Sequence, residues 1–432
     1  MIRLAVSLAA LLAATPALAQ PVAITGGKVV IGDGSAPIEG GTVVVDNGRI
    51  VAAGPAGSVR VPAGATTIDA AGQWVTPGLV AGFSRIGLVE VDGGVSGASD
   101  AGASGSPYSA AIDVSYSVNP LATPIAVSRA DGVTRAIVAP EPEQSVFAGQ
   151  GAIIDTGADY EPITKARAFQ LVYLGESGSG LAGGSRSASA LELRDALMEA
   201  RDGRREGDRP DGDFLLEADI EALRPVVRGE VPMVVAVHRA SDILQVLRLR
   251  EEFPRLDLVL MGAAEGWRVA EAIAAARVPV IAEPTLNRPG SFEMLASTQS
   301  NIGRMRAAGV DVGVAVLSDF VTRNARNGRQ LAGNLVALQR LPGHTGVTWD
   351  DAFAMISSRP AAMVGMDGEI GSLRPGRRAD IVLWSGDPLE LTSAATRVWI
   401  DGVEQDLETR QSRLAKRYRS LAPEGLPKAY RR

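Results

Sequence analysis

Two periodicities divide the chain. From Val22 to Val75, short runs alternate apolar and polar positions and break at turns: "AITGGKVVIGDG", "GTVVVDNGRIVAAG" and "ATTIDAAGQWV". Alternation with a period of two predicts half-buried strands. "DNG" at Asp46–Gly48 predicts a hairpin turn, because Asn and Gly tolerate positive φ. This is the pattern of a small antiparallel β unit. From Thr76 to about Val364, β-type runs alternate with helical stretches. The expected strands are Leu79–Ser84, Val133–Ala139, Ala152–Ile154, Pro232–His238, Leu256–Met261, Val278–Ala282 and Val312–Leu317. Helices rich in Ala, Leu and Arg, such as Ala240–Glu252 and Trp267–Ala276, lie between several of them. Such repetition predicts an α/β fold, a (β/α)8 TIM-like barrel with outer helices; a doubly wound open sheet is the alternative.

After the barrel, β character returns in "ADIVLWSGDP" and "ATRVWIDGVEQ". These strands are expected to rejoin the N-terminal unit. The expected organisation is a composite β-sandwich domain from residues 20–75 and 366–406, a barrel over 76–365, and a helical tail over 407–432. The tail is basic, with Arg410, Arg413, Lys416, Arg417 and Arg419, and reads as a solvated surface helix. Two stretches, Gly93–Ser106 and Gly175–Ser189, are rich in Gly and Ser. Both are expected as loops after barrel strands, serving as lids or as plain insertions.

A chain of 432 residues can hold one large and one small domain. A net charge of −6 gives no basic footprint for nucleic acid, and 4% aromatics offer few stacking platforms. Residues 1–20, "MIRLAVSLAALLAATPALAQ", combine Arg3, an apolar run and an Ala17-Leu18-Ala19 cleavage site. Residues 1–19 read as a signal peptide, so the mature chain is expected to begin at Gln20, in the periplasm or secreted, with a retained anchor as the alternative. The apolar run is too short to span a bilayer, and no later run is long enough. With no cysteine, thiolate metal sites and Cys nucleophiles are excluded.

Four stretches resemble the amidohydrolase superfamily, in particular its imidazolonepropionase-like branch. "GTVVVDNGRIVAAG" followed by "TTIDAAGQWVTPGL" is similar to that family's N-terminal β domain and its entry to the first barrel strand. "GVTRAIVAPEPEQSVFAGQGAIID" resembles a second family segment, with a Gly-Gln-Gly turn at Gly149–Gly151. "VHRASDILQVLRLREEF" is similar to a mid-barrel strand and helix, and "GEIGSLRPGRRADIVLWSGDPLE" to the C-terminal return. The resemblance implies a barrel plus a composite β domain. It also implies hydrolysis of C–N bonds in cyclic amides or capped peptides by a metal-bound hydroxide. The family's usual ligands are a His-x-His on the first strand, a mid-barrel Lys or acid, two further His and an Asp on the eighth strand. The metal brings the pKa of bound water to about 7, and the Asp carries the proton.

The histidine count bears on this directly. The chain holds two, His238 and His344, so a site of four imidazoles cannot be built. Against the family pattern, Phe83 and Arg85 stand at the His-x-His, Asp155 near the Lys, and Gly262 where a His can follow a strand. Asp319 stands at the strand-eight Asp. His238 is either a retained ligand or the neighbouring non-ligand His, and it has structural uses besides. His344 reads as a loop residue before a helix capped by Thr348. Glu90, Asp92, Glu176 and Glu265 are pocket acids or solvated loop charges. Arg85 is a permanent cation that cannot ligate a metal and would repel one. It is expected to pair with Asp319 in the vacated space, while Phe83 fills a ligand's volume.

The expectation is therefore an exported amidohydrolase-family protein, by lineage a hydrolase of non-peptide C–N bonds, with degenerate catalysis and no metal cofactor. One alternative is a mononuclear zinc hydrolase built on His238, Asp319 and Asp155. Others are a non-catalytic partner of an active paralogue, and a different chemistry using Asp319 with Arg85 as an oxyanion clamp. Expected ligands are small carbonyl or amide compounds or short peptides, with no nucleic acid and no membrane span. Oligomeric state stays open.

Overall fold

The computed structural model describes residues 20–90, 97–203, 215–284, 287–317 and 322–419. The expected signal peptide, Asp92 and Asp319 lie outside these residues. The first strands are β1 (Val22–Val29), β2 (Ile38–Asp46), β3 (Arg49–Pro55), β4 (Thr66–Asp69) and β5 (Trp74–Pro77). Asn47 and Gly48 turn β2 into β3 with φ of 47° and 73°, the positive angles a tight hairpin requires.

The second group is β6 (Leu79–Ser84), β7 (Val133–Val138), β8 (Phe147–Asp155), β9 (Ile163–Tyr173), β10 (Met233–Val237), β11 (Leu258–Gly262), β12 (Val280–Ala282) and β13 (Val312–Val314). These form one eight-stranded sheet in chain order. The two edges meet through a bridge between Gly82 and Ala315, which closes the sheet into a barrel rather than an open doubly wound sheet. A Cβ on Gly82 would lie 2.5 Å from Ile281 Cδ1 and 2.8 Å from Val314 O, so glycine permits the seam. β8 runs antiparallel to both its neighbours, a departure from uniform β/α repetition.

All of β10 is buried, which explains why "MVVAV" shows no polar position. Its alternate residues serve two cores. Val234 and Ala236 point into the barrel with Phe83, Phe169 and Ile281. Met233, Val235 and Val237 face the outer helices with Ile243 and Val246. The helix Ala240–Glu252 forms as expected. The expected Trp267–Ala276 divides into a 3-10 turn, Gly266–Arg268, and a helix, Ala270–Ala276.

The chain then returns as β14 (Ile381–Trp384), β15 (Ala395–Ile400) and β16 (Val403–Glu404). The other sheet runs β16-β15-β14-β5-β1-β2-β3, with β4 beside β1. Its core joins Ile24, Val43 and Val75 to Ile381 and Trp399, so both ends of the described chain build it. The helix Arg410–Tyr418 follows, capped by Thr409 and burying none of its residues. Among the described residues no helix is long and apolar enough to cross a membrane.

The stretch Gly175–Ser189 is not a loop. It folds as the helix Gly175–Leu181 and the start of a second helix, Arg186–Asp202. The second is capped by the Ser185 side chain, which accepts from Ser187 N. Gly178 serves close packing: a Cβ there would lie 2.3 Å from Tyr173 O.

Candidate active site

A cavity of about 640 Å³ opens where the parallel strands end. It is lined at the ends of β6 (Phe83, Arg85), β9 (Tyr173), β10 (His238) and β11 (Met261, Gly262), and just beyond β12 (Glu283). This is the end of a barrel where loops and strand termini carry function.

Phe83 closes the floor. It is 3% exposed and meets the Phe169 ring edge-on, centroids 5.0 Å apart. It sits at φ 44°, an uncommon conformation for a bulky residue at a strand end. The turn it makes brings Arg85 to the rim. Arg85 Nη1 lies 3.0 Å from Glu141 Oε2. Burial pushes the Tyr173 phenol up, with the Arg85 guanidinium acting against that rise. The expected partner of Arg85, Asp319, lies outside the described residues; Glu141 is the carboxylate seen beside it.

His238 follows β10, and its carbonyl accepts from Glu265 N at 3.0 Å. Its Nδ1 is closed off from solvent without a hydrogen-bond partner. Burial pushes the imidazole down to about 4, so it is neutral at neutral pH. Gly262 lies against this ring. At φ +91° it is strained for any other residue, and a Cβ there would lie 2.4 Å from His238 Cε1. The space a side chain at position 262 would need is thus occupied by the face of His238.

Asp155 is a correction. It pairs in register with Arg135 near the start of β7, at the other end of the barrel from the cavity, and does not line it. Because β8 runs backwards, its last residue returns to the barrel floor. There Asp155 Oδ2 lies 3.7 Å from Arg135 Nη1, and burial pushes its carboxyl up to about 6, with Arg135 acting against that rise. Arg135 relieves Asp155 only weakly because it faces Asp380 through a bidentate pair at 2.7 and 2.9 Å, and Asp401 at 2.8 Å.

The other acids separate cleanly. Glu265 accepts from Ala240 N at 3.1 Å and Ala296 N at 3.0 Å, so it ties loops together and does not line the cavity. Glu90 is engaged by Asn119. Glu176 does line the cavity, in a reciprocal arrangement with Glu293. Glu293 N donates to Glu176 Oε1 at 3.0 Å, and Glu176 N to Glu293 Oε2 at 2.7 Å. Arg186 stands 3.3 Å from Glu293 and 3.0 Å from Asp242, and burial pushes the Glu293 carboxyl up. His344 is an exposed loop residue whose Nδ1 faces Pro342 O at 3.2 Å, and Thr348 caps the next helix.

Glu141, Tyr173, Glu283 and Glu293 escaped the sequence reading. Glu283 carried a usable signal, an acid directly after the strand "VIA". It is 7% exposed and accepts from Leu317 N at 3.2 Å.

The chain's two histidines cannot supply the four imidazoles of a family-type metal centre. Among the described residues no group of three or more His, Asp or Glu side chains converges on one point. A metal-binding imidazole nearly always donates its second N–H to an acceptor. His238 Nδ1 has none.

Residues 317–404 match the profile of the Amidohydrolase family. The amidohydrolase tasK of Hapsidospora irregularis is 26% identical over 384 residues, covering 80% of this chain and 38% of that protein. The chain thus spans well under two thirds of that relative. The imidazolonepropionase of Maricaulis maris is 35% identical over 97 residues, 22% of this chain and 23% of its own. Among solved structures, an amidohydrolase from Thermotoga maritima superposes with a TM-score of 0.76 at 26% identity, covering 89% of this chain and 99% of that one.

Proposed function

We propose that this chain, which belongs to the amidohydrolase superfamily, is an exported protein that binds a small amide or other carbonyl compound at its barrel mouth, without metal-dependent C–N hydrolysis. One observation carries the reading: Arg85 stands on the cavity wall beside Glu141, where the first-strand ligands would be expected. A guanidinium offers no lone pair and repels a divalent ion at short range. The cavity itself suits a small molecule in size, and Phe83, Met261 and Leu317 give it apolar walls. The amide class comes from relatives named as amidohydrolases.

The competing reading is a mononuclear zinc hydrolase on His238 and Asp319. Asp155 cannot supply its third ligand from the far end of the barrel. The buried Glu283 on the cavity wall is the carboxylate that favours this reading instead. Elemental analysis of the purified mature protein, run beside hydrolysis assays on N-acyl amino acids and cyclic amides, separates the two. Binding without stoichiometric zinc and without turnover is the expected result. Stoichiometric zinc with turnover would discard the metal-free reading.

A further inference from the structure

We infer that His238 is the residue that recognises the ligand's carbonyl oxygen, donating a hydrogen bond from Nε2–H while its other nitrogen stays bare. The inference rests on the binding reading above and gives it a named contact.

The argument is one of proton placement. A neutral imidazole carries one N–H and one lone pair. Nδ1 is closed off from solvent with no acceptor, yet His238 lines the cavity. The ring therefore reaches the cavity through Nε2. A buried N–H without an acceptor is among the rarest defects in folded proteins, and an unfilled lone pair is better tolerated. The proton belongs on Nε2, where water or a ligand can accept it. The same placement disfavours metal binding. Ligation through Nε2 would move the proton to Nδ1, where nothing receives it.

The ring is also held in a fixed attitude. Gly262 presents no side chain and lies against Cε1 and both nitrogens. Behind it, Glu265 N and Ala263 N donate to the carbonyls of His238 and Val237 at 3.0 and 2.8 Å. A fixed neutral donor on a wall shared with Met261 and Leu317 selects a ligand with a carbonyl oxygen beside an apolar body.

The chain's two histidines make the test direct. A long-range proton–nitrogen correlation spectrum of histidine-labelled protein gives two ring patterns, with exposed His344 as the internal reference. His238 is expected as the Nε2–H tautomer from about pH 7 to pH 5. N-acetyl-leucinamide should shift its ring proton. The thioacetyl analogue, which stays a neutral amide but accepts a hydrogen bond poorly through sulfur, should bind about five- to tenfold more weakly. His238→Ala should abolish that discrimination, and His238→Gln, which keeps a donor amide, should restore part of it. A proton on Nδ1 overturns this inference alone, and loss of the Nε2 proton on adding zinc overturns it together with the metal-free reading. Wild-type binding of both compounds with equal affinity overturns this inference alone. If neither compound binds the wild type, the binding reading fails and takes this inference with it.

Discussion

Gly262 and His238 are matched surfaces: a methyl group on the one would lie 2.4 Å from Cε1 of the other. Neither residue can change without the second being affected, and the pair defines the back of the cavity. Gly262→Ala should cost about 2–4 kcal/mol, combining positive-φ strain with displacement of the ring. In a His238→Ala background the same change should cost only its backbone strain. A double-mutant cycle by urea denaturation measures the difference, and a coupling near zero would contradict the contact.

His238 makes stability depend on pH. Its folded pKa is depressed to about 4 from an ordinary 6.5. The stability it contributes is present above 6.5 and lost as pH falls toward 4, because the unfolded chain takes the proton first. The span corresponds to about 3 kcal/mol. His238→Gln should flatten the wild-type loss of stability across that window in denaturant titrations at stepped pH.

Asp155 works in the opposite sense. Its folded pKa is raised to about 6 from 3.8. Its contribution is present below 3.8 and lost as pH rises through 6, since ionising it in place is unfavourable. Asp155→Asn keeps the side-chain oxygen that accepts from Gly157 N at 2.8 Å. This variant should lose less stability than wild type between pH 4 and 6, by about 2 kcal/mol at the upper end. A variant that tracks wild type across the window would refute this.

Breaking the floor pair should be severe. Asp380 is 3% exposed and takes a bidentate pair from Arg135. Arg135→Ala leaves that carboxylate buried without its counter-charge, with Asp401 N still donating to it at 3.0 Å, at about 3–5 kcal/mol. Thermal melting of Arg135→Ala beside Arg135→Ala/Asp380→Ala should show partial recovery in the double variant.

At the rim, Glu293→Ala removes the acceptor of Glu176 N and a partner of Arg186. The expected loss is about 1–3 kcal/mol, with faster amide exchange confined to residues 287–300 and the helix Gly175–Leu181. Exchange unchanged there would mean the reciprocal bonds do not hold the rim.

Much of the fold was legible in the sequence because barrel strands buried on both faces give long apolar runs. "MVVAV" and "LVLMG" needed no context. Strand β9 went unseen because its first half, "ITKAR", is largely exposed and carries no apolar signature. The reversal of β8 was invisible for a different reason: an apolar run has no direction. That reversal is what misplaced Asp155. The count of two histidines needed no geometry. What fills the site, Glu141 beside Arg85 and Gly262 beneath His238, depended on strands far apart in the chain converging.

The smaller sheet has its own consequence for how the protein is made. Its central neighbours β5 and β14 come from distant parts of the chain, and Trp384 Nε1 donates to Thr76 Oγ1 across 308 residues. While the chain is being synthesised, β5 waits with one edge open until the barrel between them has been produced. Closing so long a loop adds only slowly growing entropy, so the finished sheet is not weakened by it. The delay is kinetic. A chain held open at this seam stays incompletely folded until its last strands emerge.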